Sequence, residues 1–171
     1  MANPDASRDR TEEKPHDGKE RIFLVVVDNT VEHHKALRFA ALRARRTGGR
    51  VALLYVIEPA EFQHWMAVEN LMREERRQEA EALLQSVSEE VQQLSGMTPV
   101  YYLREGKVHE ELLKLIEEER SISILVLAAG TDKKGPGPLV SQLAGKMSGT
   151  LPIPVTIVPG NLSNEEIDAL T

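Results

Sequence analysis

The chain has 171 residues, 41% of them hydrophobic and 28% charged, which suits one domain with a real core. Its formal net charge of −6 argues against a nucleic acid or an acidic membrane surface as the main partner, although Arg43, Arg45 and Arg46 form a small basic cluster. The absence of cysteine excludes a disulfide framework and thiolate chemistry, and no apolar run approaches the roughly 20 residues that a spanning helix needs, so a cytoplasmic protein without a membrane partner is expected.

Residues 1–20 are polar and charged, with no large apolar residue after Met1. Such a segment buries too little to offset the entropy of ordering, and it reads as a disordered tail that leaves His16 solvated. IFLVVV at 22–27 is apolar on both faces and predicts a central parallel strand ending at Asp28. Asn29 and Glu32 have the spacing of a capping box, and a helix follows with Ala36, Leu37, Ala40, Ala41 and Ala44 on one face. Gly48 and Gly49 end it, and VALLYVI at 51–57 predicts the second strand.

A less regular connection carries Phe62, His64 and Trp65, the last suited equally to a surface anchor, a dimer contact or the mouth of a pocket. Helical spacing then runs over about 68–94, with EERRQEAE as its solvated face. PVYYL at 99–103 reads as a third strand, 108–119 as a third helix and 122–128 as a fourth strand. A short helix over 139–147 and a fifth strand over 155–158 complete the pattern, and 161–171 reads as a polar C-terminal tail with a helical turn after Ser163. Strands alternating with helices predict an α/β fold, a doubly wound five-stranded parallel sheet, with one domain over 21–160.

Between the fourth strand and its helix lies TDKKGPGP at 131–138, directly after Gly130. Ligands of such folds bind at the carboxyl ends of the strands, so this loop decides what the protein binds.

The whole layout resembles the universal stress protein family. The likeness rests on VVVD at 25–28, the Ala-rich helix HKALRFAALRAR, LLYVIEP at 53–59, EGKVHEELLKLIEEE and PIPVTIVP, in order and over about 21–159. The resemblance implies a Rossmann- or flavodoxin-like sheet in the order 3-2-1-4-5. It also implies a homodimer through the fifth strand. Some members of the family bind ATP through Gly-x2-Gly-x9-Gly-Ser/Thr after the fourth strand. There glycines let backbone N–H groups reach phosphate oxygens at a helix N-terminus.

Counted from the fourth strand, the three glycine positions of that motif fall on Ala128, Thr131 and Ser141. Counted back from Pro154 and Val155, its final pair falls on Ser141 and Gln142, so the two ends agree without a gap and all three glycines are missing. A second register pairs Gly135 with Gly145 but requires an insertion and puts Lys146 in place of the hydroxyl residue. The motif is degenerate, which leaves ATP as an open cofactor. Gly130, Gly135 and Gly137 keep the loop flexible, and Lys133 and Lys134 offer charge to an anion or simply sit in water. Pro136 and Pro138 each remove an amide donor.

By the resemblance, Asp28 stands at the adenine or ribose contact, and a loop carboxylate capping the next helix explains it equally well. Val56 matches a position beside the adenine, although a buried strand accounts for it without a ligand. His33 and His34 read as an exposed helix start, because adjacent helical residues point about 100° apart and cannot share a metal easily. Neither His109 nor Ser141 has partners for metal or nucleophilic chemistry. The expected function is a dimeric regulatory module of the stress-response type without catalysis. The alternative is an adenine-nucleotide switch built on Asp28, Val56, Gly130, Lys133, Gly135 and Gly137. An enzyme is disfavoured, since no general base is placed and no pyrophosphate loop is present.

Overall fold

The computed structural model describes residues 20–59 and 66–171. The charged N-terminal stretch before Glu20 and the connection holding Phe62, His64 and Trp65 lie outside the described residues.

Five parallel strands form one sheet in the order β3-β2-β1-β4-β5. They are β1 (Ile22–Val26), β2 (Arg50–Ile57), β3 (Val100–Glu105), β4 (Ile122–Ala129) and β5 (Val155–Pro159). The central strand β1 pairs with β2 from Ile22 opposite Arg50 and with β4 from Ile22 opposite Ile122, the register shifting so that Phe23 then stands opposite Ile124. Successive strand residues alternate between two cores. Phe23, Val25 and Val27 face one core together with helices α1 (His33–Thr47) and α2 (Met66–Ser95). Leu24 and Val26 face the other, with α3 (Val108–Glu118) and α4 (Pro138–Ala144). Ala36, Ala40, Ala41 and Ala44 are all buried, so α1 presents a smooth face that lies close against the sheet.

Gly48 ends α1 in the left-handed conformation at φ 68°, and a Cβ on Gly49 would stand 2.5 Å from the Arg21 carbonyl oxygen. That approach explains the glycine pair: the first reverses the chain and the second lets β2 start beside β1.

Three local expectations are corrected. Asn29 does not cap α1; its N-cap is Glu32, already in helical conformation and without a side-chain cap bond. The Asp28 carboxylate instead accepts from the Thr30 amide at 2.9 Å and the Thr30 hydroxyl at 2.5 Å, turning the chain one step earlier. The short helix ends at Ala144 rather than 147, and turns carry the chain on to Thr150.

The third correction concerns the C-terminus. Residues 161–171, read as a polar tail with a helical turn after Ser163, form the longer α5 (Asn164–Leu170), with a two-way capping box between Ser163 and Glu166. Ile167 is fully buried in the α1 core. Arg38 of α1 holds Asp168 through two bonds, Nε to Oδ1 at 2.6 Å and Nη2 to Oδ2 at 2.7 Å. With Ile167 as its single buried position and Leu170 exposed, the segment lacks the period expected of a helix face, yet one buried isoleucine and a bidentate pair dock a two-turn helix.

Helix α2 is 30 residues long, about 45 Å, against a six-residue β3 of about 20 Å. Its buried residues begin at Ala80, so residues 66–79 overrun the sheet at the carboxyl ends of the strands. Arg73 clamps this extension to Glu105 at the end of β3. Among the described residues, no helix is long and apolar enough to cross a membrane.

Candidate functional site

The strand order reverses direction at β1, which has β2 on one side and β4 on the other. At the carboxyl ends of these strands lies a cleft of about 1010 Å³. Asp28, Val56, Gly130, Lys134, Gly135 and Gly137 all line it. Lys133, expected beside them, is exposed and lies outside the wall. Val56 is both things at once: it belongs to the core around α3 and reaches the cleft from the end of β2.

Asp28 follows β1 with its side chain half exposed, and Oδ1 carries both bonds from Thr30. Oδ2 is therefore the oxygen left for a donor from outside the turn. The loop after β4 is closed on itself. The Gly130 amide donates to the Pro136 carbonyl at 3.2 Å and the Gly135 amide to the Asp132 carbonyl at 3.1 Å. The Lys134 amide donates to Asp132 Oδ1 at 2.8 Å. Gly135 and Gly137 have φ of 88° and 98°, which side-chain residues rarely adopt, so these glycines serve the turn's own geometry.

The walls carry Asp28, Glu32, Glu58, Glu79 and Asp132 against Arg76 and Lys134. This balance favours neutral or cationic groups over polyanions. Arg76 is drawn toward the end of β2, its Nη1 donating to the Glu58 carbonyl at 3.5 Å. Its place in the wall was hidden in the sequence, where EERRQEAE reads only as a wet face. The helix length was the available signal, since so long a helix must overrun so short a strand.

His33 departs from expectation most. Rather than an exposed helix start, it is only 6% exposed and stands in the cleft wall. Its Nδ1 lies 2.6 Å from the Thr30 carbonyl oxygen and 3.8 Å from Asp28 Oδ1, and its Nε2 has no partner among the described residues. Burial holds its pKa below the ordinary histidine value, partly offset by the Thr30 bond and by Asp28. His34 is the exposed one, with Nδ1 2.9 Å from Glu90 Oε2. His109 lines the cleft from α3. Among the described residues, no group of three metal-ligating side chains comes together.

Residues 20–159 match the universal stress protein family. The chain belongs to that family. Of solved structures, the universal stress protein UspA from Lactobacillus plantarum is 18% identical, with a TM-score of 0.67, covering 82% of this chain and 97% of that one. A universal stress protein in complex with cAMP is 14% identical, with a TM-score of 0.56, covering 82% and 98%. The universal stress protein from Archaeoglobus fulgidus in complex with dAMP is 17% identical, with a TM-score of 0.56, covering 81% and 96%. At these identities the likeness is one of fold. Among curated proteins, no sequence matches this chain. Helix α5 of this universal stress protein lies beyond the matched span.

Proposed function

We propose that this universal stress protein is a cytoplasmic, non-catalytic regulatory module whose β4–α4 loop has given up the triphosphate cradle. One observation carries the reading: the amides of Gly130, Lys134 and Gly135 are engaged inside the loop, while Pro136 and Pro138 supply none. A triphosphate would have to break those bonds and enter a wall dominated by carboxylates. The open edge of β5, where Ile157 is 38% exposed, supports a homodimer through that strand. Calorimetric titration with ATP, with and without magnesium, should show no specific heat. Micromolar affinity refutes the reading.

A second reading, an adenine-nucleotide switch, is favoured by Asp28 Oδ2, unbonded among the described residues, in a cleft of about 1010 Å³ that Lys134 also lines. Relatives of this fold have been solved with cAMP and with dAMP, ligands with one phosphate rather than three. On this reading dAMP gives a binding signal that Asp28→Ala abolishes. No signal from the native protein removes it.

A further inference from the structure

The turn at residues 28–30 and the first turn of α1 are joined through one imidazole. A carbonyl oxygen only accepts, so the contact of His33 Nδ1 with Thr30 at 2.6 Å places the proton on Nδ1. In the neutral ring Nε2 then carries a lone pair, buried and without a partner among the described residues. A second proton there would find no acceptor among the described residues.

The titratable groups around the ring are Asp28 on the β1–α1 loop, His34 on α1 and Glu90 on α2. Asp28 Oδ1, at 3.8 Å, offers partial compensation for a positive charge. His34, its ring centroid 4.0 Å away, opposes one. Glu90 is held by His34. Glu32, the neighbour in sequence, lies against Gly160 at the end of β5 instead. A cation at the first position of α1 also meets the positive end of the helix dipole. The helix start has no side-chain cap, so the His33–Thr30 bond is the side-chain tie between the turn and the helix.

We propose that His33 is a proton-operated latch: neutral, it holds the turn at residues 28–30 against α1 and presents Asp28 to the cleft, and on acidification it releases both. The lowered pKa of the buried ring agrees with this direction. The consequence for a ligand, retention at neutral pH and release in acid, rests on the second reading above; the latch itself does not.

The test needs no ligand, so its outcome is independent of nucleotide binding. Amide exchange of residues 29–36 is followed by NMR in the full chain between about pH 5.5 and 7.5, corrected for intrinsic rates. Opening that takes up one proton should grow about tenfold per pH unit below about 6.5, levelling off below the folded-state pKa. His33→Gln should flatten this dependence, and His34→Gln should keep it. Unchanged protection across the range in the wild-type protein overturns the latch, as does the same slope in His33→Gln or its loss in His34→Gln alone. If His33→Gln does not fold, the wild-type ring titration decides. Proton uptake by His33 that coincides with loss of protection upholds the latch, and uptake with protection intact overturns it.

Discussion

Replacing Ile167 with alanine tests whether α5 is part of the fold. The side chain is fully buried in the core formed by α1 and the sheet, with Leu162 packed against the same cluster. Removing three carbons forfeits roughly 0.8 kcal/mol for each, about 2.4 kcal/mol of transfer free energy. The hole left beneath a short helix adds a further amount, and a total of about 3 kcal/mol sits within the range of about 2–5 found for such truncations. For a chain of this size that lowers the melting temperature by roughly 6–12 °C. Leu170, on the same helix but 62% exposed, is the internal control, and Leu170→Ala should change stability by about 0.5 kcal/mol or less. Urea unfolding followed by circular dichroism measures both. If Ile167→Ala costs less than about 1 kcal/mol with an unchanged m-value, α5 is not packed as described and the burial argument fails.

Ser163→Ala should cost about 1 kcal/mol by removing the oxygen that accepts the Glu166 amide, a difference read from the same unfolding curves. Gly49→Ala should destabilise by more than about 1 kcal/mol, because its Cβ would stand 2.5 Å from the Arg21 carbonyl and force β1 from β2; a neutral effect in thermal melts contradicts that approach. Asp168 has its pKa lowered first by the hydrogen bonds from Arg38, so its stabilising contribution is present above about 3.8 and is lost as pH falls through the folded value. The stability gap between the wild-type protein and Asp168→Asn should therefore close on acidification, and a gap that persists in strong acid rules out the ion pair as its source. The pKa of His33 is also lowered, by burial, so its contribution is complete above about 6.5 and fades as pH falls toward the folded value. His33→Gln should flatten the pH–stability curve in that window, which chemical denaturation at a series of pH values measures.

The five strands and the first four helices announced themselves locally. The run IFLVVV has no polar face, which only a strand covered on both sides tolerates, and the alanines of α1 recur at the period of a helix pressed on a sheet. The glycines and prolines of the loop after β4 were equally visible, since both residue types act through backbone chemistry that the residue type alone dictates. α5 was less legible: its one core residue, Ile167, gives no periodicity, and its docking depends on Arg38 of a helix far away in sequence.

The chain's own order of residues thus determined the five-stranded α/β layout, and with it the place where a cleft must lie, because burial patterns with periods of 2 and 3.6 are local properties of a polymer. Tertiary packing decided what stands in that cleft. Arg76 reaches it only because α2 outruns β3, and His33 rather than His34 enters the wall because the turn made by Asp28 and Thr30 fixes the rotation of α1. Both outcomes depend on the relative placement and rotation of elements distant in sequence, which no local pattern encodes.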